Sequence, residues 1–450
     1  MLEYAALAVF VLVYVLIIGR RRFGVPIWVA MTAGAALMIG LQVTSVPDAF
    51  AAVNLQVIAF LFGMFSLVSA LERAGVLQLV AAKMLARAKT PAQLLMVFVV
   101  GMGALAAFLV NDTIALLGIP LAVYVARHSG IRPQVLLLAL AFGITVGSVA
   151  TPIGNPQNLL IAIDSGIKLP FVTFLAYLGA PTAANLLVTF IILKAYFRKE
   201  LATAAPPPDR AASKETAGDG KEAVTTETAA ATTATAAVRN SFQTRLAIYI
   251  TVATLAGFVV SEVLHMLGVA DLGLAVVAML GAAALYSLST ERAQILKSVD
   301  YSVLVFFGAM FVVTSAMWSS GAVSLITGWL PDPNPSDRAQ SLGIIAAASL
   351  SLSQVLSNVP FVALYNFVMI DAGFTGQHVA QWMMLAAAST IAGNLTILGA
   401  ASNVIVIEAA ESRGVRAFSF FEFAKVGSLI TAANMAVYFA FILLLAPLPS

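Results

Sequence analysis

Long apolar runs separated by short polar interruptions extend almost the whole length of the chain. They fall near 4–19, 25–43, 55–71, 134–163 and 171–195, and again near 246–264, 272–288, 302–318, 380–408 and 424–446. Roughly 20 mostly apolar residues cross a bilayer as a helix, so the pattern predicts an all-α polytopic membrane protein with about ten transmembrane helices. Two stretches depart from a plain span. Residues 92–127 are interrupted at Asn111-Asp112, and the second leg offers only about 13 apolar residues, too few to span. They are read as a re-entrant hairpin with a polar tip, the alternative being two full helices that leave the topology unchanged. Residues 341–369 read as a second hairpin. Segment 76–90 carries Lys83, Arg87 and Lys89 on a short apolar helix, which suits either the cytoplasmic interface or a long end of the third span.

The hydrophobic pattern stops at 200–244, an Ala/Thr-rich stretch with three consecutive prolines and scattered charge. It has little to bury and reads as a disordered linker. The chain thus divides into a first transmembrane repeat (1–199), a linker (200–244) and a second repeat (245–450). The two halves resemble each other. VAMTAGAAL at 29–37 returns as VAMLGAAAL at 277–285, and AFLFGMF at 59–65 as LVFFGAMF at 304–311. GSVATPIGNPQN at 147–158 resembles GNLTILGAASN at 393–403, and Thr182-Ala183-Ala184-Asn185 recurs as Thr431-Ala432-Ala433-Asn434. Four matches in order, at offsets of 245 to 249, indicate an internal duplication.

Five spans per repeat make the second repeat inverted relative to the first. Basic residues test the orientation. With both termini outside, only Lys168 and Arg338 of the 24 Lys and Arg residues fall on the outer side, and this bias is what sets topology. The linker is then cytoplasmic, and the expected location is the cell membrane.

Composition agrees and narrows the chemistry. The chain is 61% hydrophobic and 10% charged, against roughly a quarter charged in soluble domains, which excludes a water-soluble enzyme. The net charge of +3 is topology information rather than a nucleic-acid signal. There is no cysteine, and histidine occurs only at 128, 265 and 378 with no HExxH pattern. Thiolate metal sites and an intramembrane zinc protease are disfavoured, no nucleophile–base pair can be assembled, and no metal beyond sodium is expected. No basic stretch precedes the first apolar run, so a cleaved signal peptide is not expected.

Inverted repeats, paired hairpins and helices interrupted mid-span mark a secondary transporter, because backbone groups freed at membrane depth survive only around a polar cavity or inside protein. Four interruptions occur at matching places: Asn111-Asp112-Thr113, Thr151 to Asn158, Ser357-Asn358-Val359-Pro360, and Thr396 to Asn403. In Thr151-Pro152-Ile153-Gly154-Asn155-Pro156-Gln157-Asn158 two prolines and a glycine unwind the helix, and Thr and Asn side chains supply donors and acceptors. A simple packed kink is the alternative. Candidate substrate- or ion-binding residues are therefore Asn111, Asp112, Thr113, Thr151, Gly154, Asn155, Asn158, Ser357, Asn358, Thr396, Gly399 and Asn403.

Asp112 is the carboxylate expected at depth. Such a residue costs about 2.5–3.5 kcal/mol on insertion scales and normally faces a wet cavity or a partner. No Lys or Arg is expected at that depth, so Asp112 is the candidate proton or cation carrier, the alternative role being to cap a hairpin leg. Its repeat mate, Asn358, cannot titrate. Glu262, Asp300 and Glu408 lie near span ends and read as interfacial.

At these residues the sequence resembles the ion transporter superfamily, which includes arsenite efflux permeases, NhaD-type sodium/proton antiporters and divalent-anion/sodium symporters. The resemblance covers nearly everything outside 200–244. It rests on the tips NDT at 111–113 and SNV at 357–359 and on TPIGNPQN and GNLTILGAASN. In the symporter branch both tips usually read Ser-Asn-Thr. The Asn-Asp tip here looks more like the arsenite permease branch, whose substrate is a small, largely neutral hydroxide. The resemblance implies proton-coupled efflux of an arsenite-like solute. Its alternatives are sodium- or proton-coupled uptake of a carboxylate or inorganic anion, with Asn158 and Asn403 near the cation, and sodium/proton exchange. The expected partners are a small solute or ion, the lipid bilayer and, as an option, a second copy in a homodimer. A sodium ion or proton serves as coupling ion and no other cofactor is expected.

Overall fold

A computed structural model describes residues 2–203, 241–270, 272–327 and 333–444, and all of its regular elements are helices. Most of the expected linker lies outside these residues. Its described edges are helical, since Arg198–Thr203 continues past 200 and Ser241–Met266 begins before 245. The spans form where predicted, for example Leu55–Arg73, Tyr301–Ser319 and Phe420–Leu444. Large apolar side chains such as Val11, Val15, Ile191, Val252, Val260 and Leu429 stand exposed. Around a polytopic chain such a surface meets hydrocarbon rather than water.

Both interruptions that were read as hairpins are helix–turn–helix units. In the first, Pro91–Ala106 passes through a π-helical turn at Val97–Gly101 and returns as Asn111–Ser129. The returning leg is a helix of 19 residues, longer than its apolar count predicted, because the Arg127 and His128 turn continues it and Pro120 is accommodated inside. In the second, Arg338–Leu356 turns at Ser357 into Asn358–Asp371. Ser357 has φ 63° and ψ 160°, a region that side chains other than glycine occupy under strain and that tends to mark functional positions.

Contacts fall into matched pairs across the halves. Leu55–Arg73 packs on Gly273–Leu288, and Ile27–Gly40 on Tyr301–Ser319. Asn111–Ser129 packs on Ala401–Glu411, and Asn358–Asp371 on Pro156–Asp164. Ala180–Tyr196 meets its own counterpart Phe420–Leu444, where Thr182 Oγ1 lies 2.7 Å from Tyr438 Oη and Asn185 Nδ2 donates to the Asn434 carbonyl at 3.2 Å.

These contacts sort the helices into two bodies. One, the frame, holds the described helices of 2–85 and 241–327. The other, the core, holds those of 91–203 and 338–444. The main contacts between them are few: Tyr301–Ser319 with Asn358–Asp371, Leu55–Arg73 with Pro156–Asp164, Ser241–Met266 with Pro170–Phe174, and Val76–Leu85 with Val97–Gly101. At one end of the core Arg132 grips Glu200 through Nε (2.7 Å) and Nη2 (2.6 Å). That fork holds the guanidinium further up than its ordinary value, and it ties the start of one core helix to the stretch leading into the linker.

Candidate functional site

Two broken helices cross the core. The first runs as Pro133–Gly147, tightens at Ser148–Ala150, opens from Thr151 to Asn155 and restarts as Pro156–Asp164. Every residue from Val135 to Ala162 is buried, as befits a helix enclosed on all sides. Pro152 and Pro156 have no N–H to continue the helix. A buried break must still satisfy each freed backbone group, and this one does so with side chains. Asn158 Nδ2 donates to three carbonyls, those of Ser148 at 3.2 Å, Val149 at 3.3 Å and Thr151 at 3.0 Å. Asn155 caps the restarted helix, its Oδ1 accepting from the Asn158 N–H at 2.9 Å. Its Nδ2 donates to the Ser148 carbonyl and hydroxyl at 3.1 Å. Thr151 Oγ1 donates to the Ala107 carbonyl, and the Asn111 N–H to the Gly154 carbonyl at 3.0 Å, joining the first hairpin to the break. Gly154 has to be glycine, because a Cβ there would lie 2.3 Å from the Ser148 carbonyl oxygen.

The second broken helix has the same plan with different chemistry. Val379–Ile391 tightens at Ala392–Asn394, opens around Thr396, and restarts as Ala401–Glu411. Leu395, Thr396 and Ile397 are only half-buried. Gln354, from the second hairpin, donates through Nε2 to the Ala392 carbonyl at 2.9 Å and accepts from Thr396 Oγ1 at 2.8 Å. Asn403 Nδ2 donates to the Gly393 carbonyl at 2.6 Å. The cap position is Ala400, with no side chain to reach the first N–H groups.

The two breaks therefore differ in satisfaction. Around the second, Asn358 Oδ1, Asn403 Oδ1, Ser402 Oγ, Ser353 Oγ and both side-chain polar atoms of Asn394 are buried without a hydrogen-bond partner. No side-chain atom of Ser148, Thr151, Asn155, Gln157 or Asn158 is in that condition among the described residues. A buried polar group left unpaired costs about 1–3 kcal/mol, and such groups call for an explanation such as an absent ion or ligand. Five residues carry such groups on the second break and on the hairpin packed against it, which makes this the candidate binding region.

The structure gathers the expected residues into two groups. Asn111, Thr151, Gly154, Asn155 and Asn158 form the first, and Asn358, Thr396, Gly399 and Asn403 the second. A Cβ on Gly393 would come 3.1 Å from Asn358 Nδ2, which places the second hairpin tip against the second break. Ser357 lies at the turn itself. Asp112 and Thr113 are half-buried in the first turn of Asn111–Ser129. Among the described residues no side-chain hydrogen bond reaches the Asp112 carboxylate. Asp300 caps Tyr301–Ser319, accepting from the Ser302 N–H at 3.1 Å. Glu262, near the end of its span, is buried and accepts from the Phe171 and Val172 N–H groups at 2.5 and 2.9 Å. A helix start supplied from far along the chain is invisible to local pattern.

Several contributing residues escaped the sequence reading. Thr390 Oγ1 accepts from Gln157 Nε2 at 3.2 Å and Asn155 Nδ2 at 3.3 Å, linking the two broken helices. Gln354 and Asn394 were also missed. Thr390 and Thr145 hold corresponding places in the duplication, which was the one available signal.

The Ala400/Asn155 difference makes a testable statement. Ala400→Asn is expected to cap Ala401–Glu411, adding about 1 kcal/mol of stability, and to slow transport about tenfold or more by occupying the open polar groups. Thermal unfolding and proteoliposome flux check it together. A stabilised variant transporting at the wild-type rate would remove the second break from the binding site.

Comparison with known proteins agrees with this architecture. A profile of the citrate transporter family matches residues 14–392. An uncharacterised transporter of Mycobacterium tuberculosis is 29% identical over 443 residues, covering 96% of each chain. A silicon efflux transporter of Oryza sativa is 29% identical over 417 residues, covering 84% of each. In fold, the Alcanivorax borkumensis YdaH transporter is similar with a TM-score of 0.52 at 14% identity, over 90% of this chain and 88% of that one.

Proposed function

We propose, on the premise that this chain belongs to the citrate transporter family, that it is a multi-pass secondary transporter exporting a small uncharged hydroxide of the arsenite type in exchange for protons. One observation carries the choice of substrate. The hairpin tips and breaks at 107–113, 145–158, 353–359 and 390–403 contain amides and hydroxyls, a single carboxylate, Asp112, and no Lys, Arg or His. A multiply charged anion held there would have no cation to compensate it, whereas a neutral hydroxide both donates to and accepts from Asn and Ser side chains. The silicon efflux transporter among the relatives fits the same chemistry.

In this reading Asp112 carries the proton. The membrane potential contributes about 2.3 kcal/mol per charge per 100 mV to proton entry. The core, with both hairpins and broken helices, moves against the frame to alternate access, in keeping with the sparse contacts between the bodies. Both termini face outside, the linker is cytoplasmic, and the bilayer and a second copy are the partners.

The alternative is sodium- or proton-coupled uptake of a carboxylate or inorganic anion. The family name supports it, and so does the uncapped helix start at Ala400, whose N–H groups and dipole favour an anion. Sodium/proton exchange is the weaker third reading.

Proteoliposomes holding wild type or Asp112→Asn, loaded with arsenite, silicic acid, citrate, succinate or sulfate under imposed proton or sodium gradients, separate these. Proton-driven movement of a neutral hydroxide, lost in Asp112→Asn, is the expected result. Sodium-dependent anion uptake that survives the substitution would establish the alternative.

A further inference from the structure

The core and frame are joined by few side-chain hydrogen bonds, and the described ones with a carboxylate acceptor gather at one stretch of the core, residues 164–172. Asp164 ends the half-helix Pro156–Asp164. Its Oδ2 accepts from Asn366 Nδ2 on the second hairpin at 2.9 Å, within the core. Its Oδ1 accepts from Asn54 Nδ2 at 3.4 Å, and Asn54 belongs to the frame. The orientation of Asn54 is set by its other bonds. Its Oδ1 caps Leu55–Arg73, accepting from Gln56 and Val57 N–H at 3.1 and 3.3 Å, so the amide nitrogen is the end left for Asp164. A few residues along, the direction reverses. Glu262 of the frame accepts from the Phe171 and Val172 N–H groups of the core.

We propose that Asp164 and Glu262 form a reciprocal latch, a core carboxylate held by a frame amide and a frame carboxylate held by a core helix start, that fixes the core in this position and must open during each transport cycle. The inference rests on the two-body reading above. Hydrogen bonds to charged groups are about twice as strong as neutral ones; the Glu262 bonds are the short, firm half of the latch and the 3.4 Å Asn54–Asp164 bond the looser half. The core members of the latch, Asp164 and the Phe171 and Val172 N–H groups, lie along one short stretch of the core.

The corresponding place in the second half lacks the amide. Asp300, the repeat mate of Asn54, caps its helix in the same way, but its other terminal atom is a carboxylate oxygen where Asn54 has an N–H donor. Asn54→Asp therefore copies a cap that this protein already uses, keeping the helix start and exchanging only the donor facing Asp164 for a repelling oxygen.

The absence of native cysteine gives a clean test. Trp318 of the frame stacks on Phe367 of the core, ring centroids 5.3 Å apart; Phe367 adjoins Asn366, but neither ring makes a hydrogen bond of the latch. Trp318→Cys with Phe367→Cys reports this position of the core by its rate of disulfide formation in membranes. Adding Asn54→Asp, or separately Glu262→Gln, is expected to slow cross-linking about five- to tenfold while the unfolding temperature of the Asn54→Asp protein stays near that of the parent. An unchanged or faster rate in Asn54→Asp overturns the latch. If the parent pair cross-links at the same rate with and without transported substrate and gradient, the two-body reading itself fails, a result distinguishable from the first because it appears without any latch substitution.

Discussion

Asn158→Ala is expected to cost about 3 kcal/mol or more of stability and to leave little folded protein in the membrane. The amide it removes is shared by three buried carbonyls within 3.3 Å; the Ser148 carbonyl keeps a bond from Asn155 Nδ2 and that of Thr151 a longer one from the Gly154 N–H, so the Val149 carbonyl bears most of the loss. Each carbonyl left dry costs about 1–3 kcal/mol, and the vacated volume adds a cavity term. Yield after detergent extraction and the unfolding temperature are the measurements. A folded Asn158→Ala protein that transports slowly would show that the first break binds a ligand rather than serving as a satisfied joint, and would move the cation site back to Asn158.

Asn358→Ala should behave in the opposite way, leaving the unfolding temperature within a few degrees and reducing transport about a hundredfold. Its Oδ1 is already buried without a partner, so truncation relieves a polar group that the protein alone never satisfies. Groups arranged for a ligand commonly trade stability for function. Flux per folded molecule in proteoliposomes, set beside thermal unfolding of the same preparation, reads both quantities. Wild-type flux from this variant would exclude the second hairpin tip from the substrate path.

The contrast between these two asparagines shows how far the sequence could be read. Helices and breaks were legible because membrane insertion writes spans as uninterrupted apolar length, and Pro152, Gly154 and Pro156 announce an unwound helix by backbone chemistry alone. The duplication identified Asn158 and Asn403 as mates. It could not tell that one would be bonded at both ends and the other at one end only. That depends on Thr390, whose Oγ1 reaches the first break from the opposite half and donates to Asn158 Oδ1 at 3.4 Å, and on alanine standing at 400 where asparagine stands at 155. Asp164 was hidden for a related reason. It sits in what reads as an outer loop, and only the return of the second hairpin, with Asn366, buries it in a shared contact. The partners of Glu262 were hidden because they are the N–H groups of Phe171 and Val172, and backbone donors leave no trace in composition.

The matched pairing of helices across the halves also bears on how the protein is made. Leu55–Arg73 rests on Gly273–Leu288, and Asn111–Ser129 on Ala401–Glu411, so the surfaces of the first half find their permanent neighbours only after the second half has been synthesised. At about 5–20 residues per second, that interval is on the order of ten to fifty seconds. During it, Asn111 and Asp112 sit in a lipid environment without the elements that later enclose them. The order of translation therefore leaves these helices of the first half without their final neighbours until the second half is made, whatever the strength of the contacts in the finished molecule.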